Sequence, residues 1–416
     1  MIRWQMVFWM FIVAAVSYLD RNNISIAASA IQKDFGLSDQ QLGGVFSAFV
    51  MGYAFTQPFA GRIADRFGPW RVVAIGIVWW SVFTSATALV PTGLTWSLGL
   101  LLAMRFVLGV GEAVIFPASN RLVANWLPGR ERGLANGIIF SGVGIGAGIA
   151  PPLITWIMVT RGWHAAFYAS AVIGLFVLVG WILKVRDLPS QHKAVSAEEL
   201  ALIESGATAA ASAIPARWRD IVRNRAVALL ALSYFTYGYT AYIFFTWFFK
   251  YLSSVRGLDL KSSAVYGMLP FIAMALASPL GGWIADRLEP GHGARKARCY
   301  TAAAALFLAA LFVALATQVE DARLASLFLA GGAGALYLSQ SAYWTLSANL
   351  GGASAGSVSG FMNMANQIGG IATASLTPFI AKDFGWSASF LFAAAICLVG
   401  AVLWLLIDPD DRVATA

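Results

Sequence analysis

Charge is what this chain has least of. Only 12% of its 416 residues are Asp, Glu, Lys or Arg, against about 25% for a soluble globular protein. With 59% hydrophobic residues, that deficit excludes a soluble domain and implies a polytopic membrane protein. Cysteine is nearly absent. Cys299 and Cys397 have no CxxC spacing, so neither a disulfide framework nor a thiolate metal site is expected. The three histidines, His164, His192 and His292, are scattered in loops or at helix ends. No metal site or nucleophile constellation is expected, and a membrane enzyme or receptor is the less favoured class. The formal charge of +8 would suit nucleic acid, but its distribution excludes that partner.

Twelve spans of about 20 mostly apolar residues are predicted to cross a bilayer. The first six lie near 4–28, 41–64, 71–90, 97–122, 133–159 and 164–184. The second six lie near 226–250, 263–285, 299–318, 324–349, 356–381 and 386–407. Ala28-Ser29-Ala30 resembles a signal-peptide cleavage site, but Asp20-Arg21 interrupts the apolar run, which is kept as a helix. The division is 1–184, an N-terminal bundle; 185–225, a cytoplasmic linker; and 226–416, a C-terminal bundle. In the linker, Ser196-Ala197-Glu198-Glu199 is a capping box opening a short helix. An Ala-rich tract over 207–216 follows.

Nineteen of the 28 Lys and Arg fall in loops on one side, seven on the other, and Arg21 and Arg105 fall inside spans. That asymmetry puts both termini in the cytoplasm of an inner-membrane protein. The halves also repeat. Gly61-Arg62-Ile63-Ala64-Asp65-Arg66 recurs as Gly282-Trp283-Ile284-Ala285-Asp286-Arg287, and Gly162-Trp163 recurs as Gly385-Trp386. Prolines at 152 and 378 recur likewise. Parallel halves of this kind place a substrate site between them, near mid-membrane.

The motif Gly61-x-x-x-Asp65-Arg66-x-Gly68-x-x-Arg71, its shorter copy at 282–287, twelve spans and a central linker together resemble the major facilitator superfamily. Within it, the details are similar to the anion:cation symporter family. They are Tyr18-Leu19-Asp20-Arg21, Arg105-Phe106-x-x-Gly109-x-x-Glu112-Ala113, Trp126-Leu127-Pro128, Glu131-Arg132-Gly133-x-Ala135, and Thr246-Trp247 followed by Tyr251-Leu252. The resemblance implies an all-α membrane protein of two six-helix bundles. It also implies proton-coupled transport of a small organic anion with no cofactor, protons being the coupling ion, and a monomer. The helix 1 Arg is implied in substrate binding and the two acids in proton coupling.

Only four charges lie deep inside spans: Asp20, Arg21, Arg105 and Glu112. Intramembrane charges cost several kcal/mol or are paired, and are functional by default. Arg105 and Glu112 share a helix face but lie ~10.5 Å apart along the axis, too far to bridge. Asp20 and Arg105 sit at similar depth. Helical side chains tilt toward the helix N-terminus, which leans Arg21 toward Glu112. Two cross-helix pairs are expected, Asp20 with Arg105 as its charge partner and Arg21 with Glu112. A carboxylate beside a guanidinium keeps its charge; when the guanidinium turns to a substrate carboxylate, the acid takes up a proton. Arg21, with its planar fork, is the expected anion ligand, and Asp20 and Glu112 the proton acceptors.

Neutral candidates for substrate contact are Tyr18, Tyr53, Tyr237, Ser341, Trp344, Asn363 and Gln367. Tyr53 matches a substrate-facing Tyr of the family. Tyr237 suits either packing or the cavity, and Asn363 and Gln367 suit either substrate or an interhelical hydrogen bond. Asp65, Arg66, Arg71, Asp286 and Arg287 are expected as gating residues, with Asp65 locking the outward-open state. Relatives that carry polyhydroxylated acids tend to place a polar amide near 141–145. Here Gly142, Gly144, Gly146 and Gly148 alternate, which favours a less hydroxylated carboxylate, aromatic or short-chain. The glycine run also loosely resembles an antiporter signature, so proton-driven efflux or anion exchange is the alternative.

Overall fold

A computed structural model describes residues 1–206, 216–248, 251–258 and 260–413. Most of the Ala-rich tract expected over 207–216, and Lys250 of the outer loops, lie outside the described residues. The described residues are mostly helical, and their long helices form twelve spans. α1 is Ile2–Ile26, α2 Asp39–Phe67 and α3 Pro69–Ala88. α4 comes in two segments, Ser97–Glu112 and Ile115–Trp126. Arg132–Lys184 is one helical stretch bent at Gly162 into α5 (132–161) and α6 (163–184). α7 is Arg225–Thr246, α8 Leu260–Ala294 and α9 Thr301–Ala316. α10 is again split, Ala322–Leu338 and Gln340–Gly351. α11 is Ala355–Phe384 and α12 Trp386–Leu406.

Local chemistry sets these boundaries. Ser38 and Gln41 exchange side chain–backbone hydrogen bonds at the start of α2, at 3.3 and 2.8 Å, a reciprocal cap that satisfies two donors. Asn224 caps α7 through Val227 N–H at 2.9 Å, and Asp321 caps α10 through Leu324 N–H at 2.7 Å. Gly162 and Gly385, the repeated Gly-Trp sites, have φ of +80° and +85°. A left-handed backbone turns the chain there at little cost only in glycine. The repeat thus reaches the backbone: each half bends its fifth helix into its sixth at a glycine, and each half breaks its fourth helix in mid-span.

The glycine run of α5 packs against two neighbours. A Cβ on Gly142 or Gly146 would fall on the carbonyls of Phe11 and Ala15 in α1, and one on Gly144 on Phe271 and Ala275 of α8. Close approach of this kind substitutes for a hydrophobic driving force between helices in lipid. α1 is held by α5 inside the first bundle, and α5 in turn meets α8 of the second.

The two bundles close on each other at the face carrying both termini. Two carboxylates do so reciprocally. Asp65 of α2 accepts from Gly356 N–H, Ser357 N–H and Ser357 Oγ–H at 2.9, 2.7 and 2.7 Å, at the start of α11. Asp286 of α8 accepts from Gly133 and Leu134 N–H at 3.1 and 2.7 Å, at the start of α5. Anions at helix N-termini are stabilised by unpaired N–H groups and the helix dipole. Around them Arg121 donates to Gly352 C=O, Arg132 to Asn349 Oδ1 and Arg298 to Gly129 C=O, at 3.0, 2.9 and 3.2 Å. Asn120 bonds Ser347 and Asn136 bonds Thr345. The linker joins in: Ala216 N–H donates to Ser354 Oγ at 2.7 Å, while Arg62 donates to Ala216 C=O at 2.8 Å.

The capping box expected at Ser196 forms by half. Ser196 Oγ accepts from Glu199 N–H at 3.2 Å. The Glu199 carboxylate instead leaves its own helix and caps α1, accepting from Ile2 N–H, Arg3 N–H and the Arg3 guanidinium at 3.0, 3.2 and 3.0 Å. Burial pushes this carboxyl up, but those donors together hold it below the ordinary glutamate range. Its contribution to stability is therefore full at neutral pH and is lost as pH falls through the lowered value. Glu199→Gln should destabilise the detergent-solubilised protein by ~1 kcal/mol at pH 7, the usual worth of an N-cap. In thermal unfolding the gap to wild type should shrink below about pH 4, the ordinary range for Glu. An unchanged gap would remove the carboxylate from the account.

Candidate transport site

On the other side of this closed seam lies a cavity of about 140 Å³ between the bundles. Tyr18, Arg21, Phe49, Tyr53, Arg105, Tyr242 and Gln367 line it. A smaller recess of about 30 Å³ shares Tyr18, Tyr53, Tyr242 and Gln367 and runs on to Tyr237, Gln340, Trp344 and Asn363. α1 and α4 supply the charged groups, and α2 supplies Phe49 and Tyr53 beside them. α7, α10 and α11 supply aromatic rings and amides.

Arg21 is the centre of the site. Its guanidinium carbon stands 4.6 Å from the Tyr18 ring centroid, 5.0 Å from Phe49 and 4.4 Å from Tyr53. Such cation–π contacts are worth ~0.5–2 kcal/mol each, more when desolvated. Nη2 meets Glu112 Oε2 at 3.2 Å and Nη1 meets Tyr18 Oη at 3.4 Å. The expected Arg21–Glu112 pair is therefore in place. Glu112 is 1% exposed, and its second oxygen, Oε1, has no partner.

The other expected pair is not formed. Asp20 accepts from Thr84 Oγ–H of α3 at 2.6 Å, its Oδ1 has no partner, and no Arg nitrogen comes within 4.0 Å of it. Arg105 therefore has no carboxylate as charge partner among the described residues; it lies over Phe49, 4.8 Å from the ring centroid. Similar depth in the membrane does not fix which way a side chain points around its helix. Thr84 lies nearer Asp20 by rotation, which depth alone does not reveal.

The neutral candidates divide. Tyr18, Tyr53 and Gln367 border both spaces, and Tyr237, Trp344 and Asn363 border the recess. Trp344 donates to Tyr234 Oη at 2.9 Å. Asn363 donates to Gln57 Oε1 at 3.0 Å, an interhelical bond across the seam. Gln367 accepts from the Tyr242 hydroxyl. Ser341 is a correction: it is fully buried and borders neither space. The break at Ser339 starts a new helix and shifts its phase, so Gln340 reaches the recess instead. Gln57, Thr84 and Phe49 are not singled out by sequence, and Tyr242 is one of several helix 7 aromatics that sequence does not separate from packing residues. Gln57 had a signal, an amide within a span; Phe49 had none.

The gate residues divide as well. Asp65 and Asp286 hold the seam. Arg66, Arg71 and Arg287 are exposed and make no ion pair among the described residues. The arginines that cross or brace the seam are Arg62, Arg121, Arg132 and Arg298, which bind backbone carbonyls or Asn349, and Arg298 also pairs with Asp286 and Glu289.

This architecture has known counterparts. The family model of the Major Facilitator Superfamily matches residues 10–374 and 295–416. A probable sulfoacetate transporter, SauU, of Cupriavidus necator is 34% identical over 95% of this chain and 91% of its own length. The hexuronate transporter of Bacillus subtilis is 30% identical over 94% and 91%. Among solved structures, the proton:xylose symporter XylE bound to 6-bromo-6-deoxy-D-glucose superposes with a TM-score of 0.76 at 14% identity, over 98% of both chains. The twelve spans, the repeated halves and these matches lead to one conclusion: the chain belongs to the Major Facilitator Superfamily and is a multi-pass membrane transporter, not an enzyme.

Proposed function

We propose that this protein is a proton-coupled symporter that imports a small organic anion across the cytoplasmic membrane by alternating access. The observation that carries the reading is the Arg21–Glu112 pair at the wall of an inter-bundle cavity. Arg21 presents a guanidinium to the cavity while its partner acid keeps one oxygen free. A substrate carboxylate that takes the guanidinium leaves Glu112 without its cation in a low-dielectric site, where it binds a proton. Substrate and proton then travel together. Asp20, held among the described residues by Thr84 alone, is the second proton acceptor. Relatives whose names specify sulfoacetate, hexuronate and galactarate or D-glucarate support an organic anion. The α5 wall offers no amide at 141–145, and Ser141 Oγ is occupied by Ile138 C=O at 2.7 Å, so a sparsely hydroxylated acid is favoured.

Transport follows from rocking of the bundles, 1–184 and 226–416, about the seam, within one monomer. With the Arg- and Lys-rich face in the cytoplasm, the closed seam makes this conformation outward-facing. In proteoliposomes, inward acid-driven uptake of a carboxylate panel should rise as external pH falls. Glu112→Gln should flatten that dependence while leaving substrate binding measurable. Undiminished proton dependence in the variant would remove Glu112 as a coupling residue. Accumulation driven only by a counter-anion would replace symport with exchange.

A further inference from the structure

Arg105 is the unexplained group of this site. It is 2% exposed, its Nε has no partner, and among the described residues it forms neither a hydrogen bond nor an ion pair. Its guanidinium carries five N–H donors and no acceptor. An unpaired charge at this depth is costly and persists where it serves a ligand. Arg105 lines the same cavity as Arg21. The two guanidinium carbons stand over the same Phe49 ring, at 4.8 and 5.0 Å from its centroid. They are thus no farther apart than the sum of those distances. Arg21 already has a carboxylate in Glu112; Arg105 has none.

We infer that Arg105 is a second anion anchor and that the substrate is a short dianion, one acid group on Arg21 and the other on Arg105. The inference rests on the symporter reading of the same cavity and adds to it the charge and size of the substrate. A small cavity of about 140 Å³ suits a short diacid, with acid groups separated by one or two carbons. Charge agrees. Once Asp20 and Glu112 each hold a proton, the two guanidinium charges remain to meet two acid groups, and the loaded site carries no net charge. Phe49 sets the spacing by giving both cations one face-bearing ring on which to rest.

Matched probes test the inference on purified full-length protein, without any gradient. Malonate and succinate are compared with malonamate and succinamate, which replace one acid group by an amide of equal size. A second charge-assisted contact should make the diacids bind about tenfold tighter or more. Arg105→Gln should erase the preference, weakening the diacids about tenfold more than the amides. Arg105→Lys, which keeps charge but not the fork, should retain part of the preference. Equal binding of diacid and amide by wild type, or no binding of either, would overturn the inference, as would equal weakening of both by Arg105→Gln. None of these outcomes touches the symporter reading, which fails separately if a pH gradient drives no acid into vesicles. The wild-type comparison stands even if the glutamine variant does not fold.

Discussion

Replacing Arg21 by lysine should lower initial uptake in proteoliposomes by about 100-fold or more, and replacing it by glutamine should reduce uptake to background. The size of the effect follows from how many roles one planar group fills. Its plane lies among three rings, one nitrogen meets Glu112 and another meets Tyr18. An ammonium keeps the charge but has neither the plane nor the fork. Loss of folding is the confounding effect, because Arg21→Gln strands Glu112 as a buried charge. Breaking a buried pair from one side costs ~3–5 kcal/mol, whereas removing both partners can be nearly neutral. The double variant Arg21→Gln, Glu112→Gln should therefore regain the thermal stability that the single variant loses, and still bind no acid. Recovery of binding along with stability would show that Arg21 holds the bundle rather than the anion.

Asp65→Ala should open the closed seam. The variant loses three hydrogen bonds to the start of α11 and the charge that faces that helix end. Charge-assisted bonds of this type are worth ~1.5–3 kcal/mol where nothing replaces them. Water replaces part of that at the membrane surface, so a net shift of ~1.4–2.8 kcal/mol, or 10–100-fold in population, is expected. Ser347→Cys is a suitable reporter, because Ser347 is fully buried on the seam against Asn120. Placed in a background with Cys299 and Cys397 replaced by alanine, its labelling by a permeant maleimide should accelerate by that factor when Asp65 becomes Ala. Asp65→Asn, which keeps one acceptor oxygen, should fall between. Labelling that is unchanged in the alanine variant would assign seam closure to Asp286 and the other polar contacts rather than to Asp65.

The fold was legible because lipid removes alternatives: a span must be a helix, and its length is set by the bilayer. The repeat was legible because the Gly-Arg-Ile-Ala-Asp-Arg stretch and the Gly-Trp bends serve the backbone, where few residues substitute. Arg21 with Glu112 was legible from tilt and depth together. What was not legible depended on rotation about a helix. Asp20 goes to Thr84 rather than Arg105, and Ser341 turns away from the cavity after the break at Ser339. The exposed arginines beside Asp65 and Asp286 follow the same pattern. In the sequence they adjoin the gate carboxylates, but an adjacent residue on a helix points about 100° away. The partners that close the seam come from other helices, and most are backbone groups that leave no residue-type signal.

Asp65 finds the start of α11 and Asp286 finds the start of α5, each a helix of the opposite half. One contact is thus used twice around a pseudo-twofold axis. The same patch would be self-complementary in a symmetric dimer of six-helix chains, where residue i meets residue j and j meets i. A half-length ancestor would have needed a single carboxylate and a single helix end to seal a pathway. Closure is thus shared evenly by the two halves, whereas the charged side chains of the cavity, Arg21 and Arg105, come from the first half.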